Sequence, residues 1–593
     1  MKRKIFFIAA LSLVCVLANA ETIEVKSFRY AGPFEVKTPH QLDTLDIAGK
    51  AFDPESALDR ELSLDMRGAT IVDSLPAAEG NALHLLGFSL ENTLYTHATL
   101  KVEGLSHSRI FMDGKPAGPE LKLEPGTHDF VVKALTLNGQ RDTVRDGRTA
   151  SEPSYPLFWT WLDLRPGIDF EAICQKMNDA GIDGVMLNAP TPDDYRRVIP
   201  IAKAHGITVY AWIWTMNPEH DRDNVLAAHP EWFSVNRLGR SLADTTAYVD
   251  YYKFLCPALP EVRDYINEKV RAYCEVDGLD GIAIDYHRFV DVVLPTTLWP
   301  RYGIVQDREY PEWDFGYHPE MIRLFQEQYG YDPREEADPS QDVLWRQFRC
   351  DQITDVANMI ANTVHSYGKV MAASPFPTPK MASRMVRQDW GKWDLDVVFP
   401  MVYHNFYTLD PSFAYDCTAE NYHDKGSGTT LYCGLMYSDD ITDCMDEAFR
   451  AGAQGIAIFT ILTMRTPEQL SRFKAYTDSV RTVVAANGGR LPKVTAPGRA
   501  DTDPFHHPGV MAQIEKRMQY IIAGFDWNRR PRRGEPRIQV PELAPLSLGE
   551  YKYLGSKDIT RLYEVTDAAS GTTFLVTFYL YGDVISGWDV VRK

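Results

Sequence analysis

Hydrophobic positions change their spacing twice along this chain, and the changes divide it. Between residues 21 and 150 apolar and polar residues alternate over short stretches such as "ATLKVEGL", "RIFMDGKPAG" and "THDFVVKAL", with "MDGK" and "LEPGTH" supplying turns. Period-two alternation broken by turn residues predicts antiparallel strands, here a β-sandwich-like N-terminal domain. From residue 151 the pattern becomes short apolar runs separated by longer amphipathic stretches. The runs are "LFWTWLD", "GVMLNAP", "TVYAWIW", "GIAID", "VMAASPF", "DVVFPMVY", "TLYCGLMY" and "GIAIFTIL". Runs that are apolar at nearly every position suit strands of a parallel sheet covered on both faces. The stretches between them, including 169–180, 191–205, 260–276, 345–367, 440–451 and 466–486, predict helices. Eight βα units over residues 151–488 predict an α/β fold, a (β/α)8 barrel with a few long loops. A doubly wound open sheet would begin with a glycine-rich turn after its first strand, where this chain has "WLDLRPG". Residues 489–507, "GRLPKVTAPGRADTDPFHH", read as a linker rich in Gly, Pro and charge. Residues 508–593 hold one amphipathic helix and a β-meander, a small C-terminal α+β domain.

The first twenty residues, "MKRKIFFIAALSLVCVLANA", have a basic start, an apolar stretch and small residues at Ala18 and Ala20. That is the plan of a cleaved secretory signal with Glu21 as the mature start, so export to the periplasm or the outside is expected. The apolar stretch is shorter than the roughly 20 residues a membrane-spanning helix needs. A formal net charge of -19 argues against nucleic acid or an anionic membrane as partner, since both require a concentrated basic patch. The cysteines beyond residue 20 lie at irregular spacing without a C-x-x-C pair, which suits buried apolar residues better than a disulfide framework or a zinc site. Nothing in the pattern sets an oligomeric state.

In a (β/α)8 barrel the chemistry collects at the C-terminal strand ends. Read in order, those ends offer Trp161 and Asp163, then Asn188, then Trp212 and Trp214, then Asp285, His287 and Arg288. They continue with Ser374, with Tyr403 and His404, and with Asp439. Aromatic faces beside carboxylates and amides suit a sugar, whose C–H groups pack on rings while its hydroxyls need polar partners. The same tryptophans could instead fill the barrel interior, and an aspartate at Asp285 could cap the next element. His287 and His404 lack a recognisable metal-ligand spacing, so neither metal nor other cofactor is expected.

Several segments resemble a known family. "CPALPEVRDYINEKVRAYCEVDGLDGIAIDYHRF" followed by "FGYHPEMIRLFQEQYGYDP" is similar to the family-10-like glycosyl hydrolases of bacteria. "WRQFRCDQITDVANMI", "AASPFP", "RQDWGKW" and "LDVVFPMVYHNF" follow in that family's order, so the resemblance covers roughly residues 155 to 480. Two places depart from the family pattern, "DYHRFV" at the fourth strand end and "WTWLDL" at the first. The resemblance implies a secreted or periplasmic barrel enzyme that cleaves glycosidic bonds, with the fourth-strand aspartate as the leading catalytic group. Glycoside hydrolysis needs one protonated and one ionised carboxyl group. Asp285 is expected to be the ionised one, favoured by His287 or Arg288. Asp389, flanked by Trp390 and Trp393, is expected to be the acid, its carboxyl desolvated by an apolar wall, with Asp163 and Asp439 as rivals. A barrel that binds glycan without turning it over would keep the same aromatic residues and need no acid.

Overall fold

In the computed structural model residues 155–593 are described, apart from 427, 493, 495–496, 499–502, 529–537 and 583. N-terminal to them the described residues are 12–17, 22–25, 28–36, 57–58, 70–72, 81–92, 96–103, 107–118, 120–123 and 126–136. The chain divides into two compact units, residues 1–154 and 155–593.

The first unit contains a six-stranded and a four-stranded antiparallel sheet. Leu121 and Leu123 of the smaller sheet pack with Phe28, Leu86, Phe88 and Phe130 of the larger one, which makes the unit a sandwich. Phe88 and Phe130 stack with centroids 5.0 Å apart. Within the first twenty residues, Ser12–Leu17 forms a strand between Thr22–Val25 and Thr96–Glu103.

The second unit is the barrel. Its strands are β1 (Phe158–Asp163), β2 (Gly184–Asn188), β3 (Thr208–Trp214), β4 (Gly281–Asp285), β5 (Val370–Ala373), β6 (Val397–Val398), β7 (430–436) and β8 (Ile456–Phe459). Neighbours pair in parallel. Strand β7 is paired in two pieces, Thr430–Leu431 with β6 and Cys433–Met436 with β8, joined through Tyr432. Because one segment serves both ends of the sheet, the barrel closes. Three helices begin on a Thr-Pro pair, at Thr191, Thr378 and Thr466. In each the threonine hydroxyl accepts the N3 amide and proline takes the position whose own N–H would be orphaned.

The interior is aromatic. Trp159 and Tyr210 lie 4.4 Å apart between ring centroids, and Phe399 and Tyr432 lie 4.8 Å apart. Such bulk fits because glycines stand opposite: a Cβ on Gly184 would collide with the Trp159 ring, and one on Gly281 would lie 2.9 Å from Tyr210. At the N-terminal end Trp159 Nε1 and the Tyr432 hydroxyl both donate to the Pro156 carbonyl, which plugs the barrel. A second layer of Trp161, Trp212, Tyr403 and Phe459 lies above. Trp159 and Trp161 are thus barrel core, 0% and 1% exposed.

The C-terminal helix Pro508–Ile522 packs Val510, Ile514 and Met518 on a four-stranded antiparallel meander. This domain rests on the barrel. Tyr579 meets Trp299 edge to face, Trp588 Nε1 donates to the Thr408 carbonyl, and Arg384 pairs with Asp558 at 2.9 Å. Among the described residues no helix is long and apolar enough to cross a membrane. The seven cysteines from Cys174 to Cys444 are free and buried.

Candidate active site

Strand β4 stops at Asp285 because Tyr286 adopts a left-handed backbone, φ 47°, which an aromatic residue takes only when its surroundings impose it. The turn aims the Tyr286 N–H at Asp285 Oδ1, 2.6 Å away, and lays the Tyr286 ring on Trp214 with centroids 3.8 Å apart. On the other oxygen Trp212 Nε1 donates to Oδ2 at 2.9 Å. Pairing of β3 with β4 places Trp214 directly beside Asp285. Both carboxylate oxygens are therefore held, and the group is 4% exposed. Burial pushes the Asp285 carboxyl up to about 6, against the opposing pull of these two donors and of Arg288; the charge of Glu219 pushes it further up. Arg288 favours the charged form of Asp285 as expected, His287 does not contribute, and desolvation outweighs the favourable neighbours.

Glu219 belongs to the loop after β3, beyond the strand ends themselves. Its Oε2 accepts from Asn188 Nδ2 at 2.5 Å, and His220 Nε2 donates to Asn188 Oδ1 at 2.5 Å. One amide at the end of β2 thereby orients both loop residues. The Glu219 carboxyl is raised by burial; Asn188, Lys269 and Arg222 counter that, and Asp163 adds to it. Asp163 at the end of β1 pairs with Arg165 at 3.0 Å. Strand ends β1 to β4 therefore gather Asp163, Asn188, Glu219, His220, Trp212, Trp214 and Asp285. Tyr403 joins them from the segment after β6: it is raised well above the usual tyrosine range first by burial and then by the Asp285 charge.

Other residues expected here are occupied elsewhere. His287 is fully buried; its Nε2 donates to the Ile353 carbonyl and its Nδ1 accepts from Thr215, and burial lowers it to about 4, so it is a neutral strut without contact to Asp285. Arg288 pairs with Asp291 at 2.8 Å and lies over the rings of Tyr252, Phe254, Tyr286 and Phe376. The Ser374 hydroxyl accepts from Trp161 Nε1 at 3.0 Å inside the barrel. His404 uses both ring nitrogens, Nε2 on Asp440 at 3.1 Å and Nδ1 on the Cys444 sulfur at 3.5 Å. Asp439 is exposed, and its neighbour Asp440 makes the inward contact. Asp389 lies in the helical layer, where it pairs with Lys392 at 3.0 Å and with Gln347 of helix Val343–Ser366. The tryptophans beside it in sequence turn into the core: Trp390 Nε1 donates to the Phe376 carbonyl and Trp393 packs edge-on against His287. A lysine stands where the sequence suggested an apolar wall.

His404, Asp440 and Cys444 offer ligand atoms within 4.8 Å of one another, the sort of set that could hold a metal. Burial raises the Cys444 thiol far above its ordinary value and lowers His404, while Ser438 and His404 outweigh burial and hold the Asp440 carboxyl below its ordinary value, so the trio reads as a thiol and an imidazole hydrogen-bonded to a carboxylate. The signal that could have found Glu219 is the stretch "TMNPEHD" directly after β3, an acid and a histidine at the mouth end of an aromatic strand.

No protein-family model matches the chain, and no curated protein matches it. Among solved structures it is similar to an alpha-galactosidase from Lactobacillus brevis, 11% identical over 86% of this chain and 63% of that one, with a TM-score of 0.35. It is also similar to a GH31 alpha-xylosidase from Xanthomonas citri, 9% identical over 81% and 58%, TM-score 0.29. A 3-keto-D-glucoside 4-epimerase from E. coli is 12% identical over 55% and 100%, TM-score 0.28. The chain spans less than two thirds of the length of the first two. At such identities and scores any functional reading rests on the site's own residues.

Proposed function

We propose that this chain hydrolyses glycosidic bonds, with Asp285 as the proton donor and Glu219 as the ionised carboxylate. The observation that carries the proposal is a second carboxyl group, Glu219 on the loop after β3, near enough for its charge to act on Asp285 at the end of β4, with different hydrogen-bond partners on each. Asp285 is walled by Trp212, Trp214 and Tyr286 and is pushed up to about 6, so it holds a proton in mildly acidic solution. Burial raises the Glu219 carboxyl as well, but it is fastened to the Asn188 amide, and Lys269 and Arg222 oppose the rise. A protonated acid can deliver its proton to the leaving glycosidic oxygen. A carboxylate across the site can activate water or attack the anomeric carbon. Trp214, with Tyr286 stacked behind it and Tyr251 beside it, supplies a ring surface for sugar C–H groups. The leader-like plan of the first twenty residues supports a working place outside the cytoplasm.

The test is release of reducing ends from bacterial cell-wall, exopolysaccharide and plant-glycan panels by the full chain and by Asp285→Asn and Glu219→Gln. The expected result is turnover of at least one glycan, reduced about 10²- to 10⁴-fold by either substitution. Unchanged turnover in both variants would remove the assignment. Binding without release of reducing ends by the unaltered protein would favour a glycan-binding barrel.

A further inference from the structure

Resting on the glycoside-hydrolase reading, we propose that the substrate is a glycan chain that extends from Asp285 across a second aromatic surface around Trp313, so that a distant subsite determines a preference for polymers. The juxtaposition behind this is a series of rings from the loops that follow β3 and β4. Trp214 stacks on Tyr286, and Tyr251 lies 6.2 Å from Trp214 and 5.1 Å from Tyr252. The Tyr248 hydroxyl donates to the carbonyl of Asp291, the residue whose carboxylate pairs with Arg288 under those rings. Tyr248 in turn stacks on Trp313 with centroids 5.4 Å apart, and Tyr310 meets Trp313 edge to face at 5.9 Å.

Tyr248, Tyr252 and Tyr286 back onto the core, and the rings beyond them open to solvent. Tyr251 is 39% exposed, and Tyr302, Tyr310 and Trp313 are partly exposed, although the catalytic pair does not need them. Charged and hydrogen-bonding groups are interleaved with them: Arg308 lies over the Tyr310 ring, Arg301 over Tyr302, and the Tyr310 hydroxyl donates to Asp307. An apolar protein partner would leave those charges buried and unpaired, whereas a hydroxyl-rich chain can pack its C–H faces on rings and bond to the groups between them. The two groups of rings are joined through Tyr248 on the Asp291 carbonyl and come from the same two loops, which makes the same molecule the occupant the proposal commits to.

The test uses the full chain carrying Asp285→Asn, so that binding is measured without turnover, and titrates it with cello-, xylo-, malto- and chito-oligosaccharides of two to eight sugar units by calorimetry. In at least one series Kd should fall by roughly tenfold or more between the shortest and longest members, about 1.4 kcal/mol. Adding Trp313→Ala should abolish most of that gain, Trp313→Tyr should keep part of it, and Tyr553→Ala, an exposed ring on the C-terminal sheet, should leave it unchanged. Circular dichroism checks that each variant is folded. A flat dependence on length in every series, or a gain that survives Trp313→Ala, would overturn the proposal. Failure of the catalytic reading shows separately, as turnover retained by Asp285→Asn, and leaves the dependence on length as it was.

Discussion

Asp285 and Asp314 are both buried in the same barrel unit, 4% and 0% exposed, yet their carboxyl groups are pushed in opposite directions. Burial raises each. Around Asp314 it is overcome: Arg349 donates to Oδ1 at 2.5 Å, Arg387 approaches the same oxygen at 3.3 Å, the Tyr317 hydroxyl donates to Oδ2 at 2.8 Å, and the carboxyl ends below its ordinary value. Arg387 also clasps Glu309, and Arg384 reaches from Glu309 to Asp558 on the C-terminal domain. Asp285 has no such clasp. Two neutral N–H groups orient it, and the nearest guanidinium, that of Arg288, is committed to Asp291. A buried carboxylate matched by arginines is a structural joint, fixed in one protonation state. One oriented by neutral donors keeps a proton to exchange, which is what a catalytic acid requires.

The comparison breaks first on stability, where the two positions should respond with opposite sign. Asp314→Ala leaves buried Arg349 and Arg387 without their shared partner and should cost about 3–5 kcal/mol, read as a fall in the denaturation midpoint. The native contribution of Asp314, whose carboxyl is lowered in the fold, is present above its unfolded value and is lost as pH falls through the folded one. Asp285 behaves the other way. Its carboxyl is raised, so its stability contribution is complete in acid and disappears as pH rises through about 6. Asp285→Asn should therefore stabilise the protein at pH 8, on the order of 2 kcal/mol, with the advantage vanishing towards pH 4. A midpoint for Asp285→Asn that falls at pH 8 would show that the carboxylate is structural after all.

A smaller effect sharpens the comparison. If Asp285 must be protonated, kcat/KM should decline as pH rises through about 6. Trp212→Phe removes a donor that favours the charged form, so this alkaline limb should move to higher pH; a shift to lower pH would contradict the role given to the indole. The smallest change is expected at Asp389, whose lysine pair lies in the helical layer. Asp389→Asn should leave kcat/KM within about twofold and stability within roughly 1 kcal/mol, as is usual for a half-exposed ion pair. A loss of an order of magnitude there would restore it to the site.

The barrel was legible because its evidence is local and repeated. Eight apolar runs, each long enough for one strand and separated by amphipathic stretches, admit few arrangements, and the closed parallel sheet is one of them. The abrupt end of "GIAID" marked Asp285, and period two along β3 marked Trp212 and Trp214, because side chains on a strand alternate by simple geometry. The sandwich and the C-terminal helix with its meander were visible for the same reason. Only the folded chain decided which polar residues face one another. In sequence Asp389 has two tryptophans beside it and Glu219 has none, yet neighbours along the chain are not neighbours in space: the turn at Trp390 sends both indoles into the core and leaves Asp389 to Lys392. His287 and Arg288 likewise stand one turn past the strand end, where Thr215 and the Ile353 carbonyl bind one and Asp291 binds the other. Charge states depend on desolvation and on partners that arrive from distant loops. The sequence by itself therefore determined the strands, their order and the edge at which their C-terminal ends lie, and the tertiary structure decided which polar residues come together there and how far burial outweighs their partners.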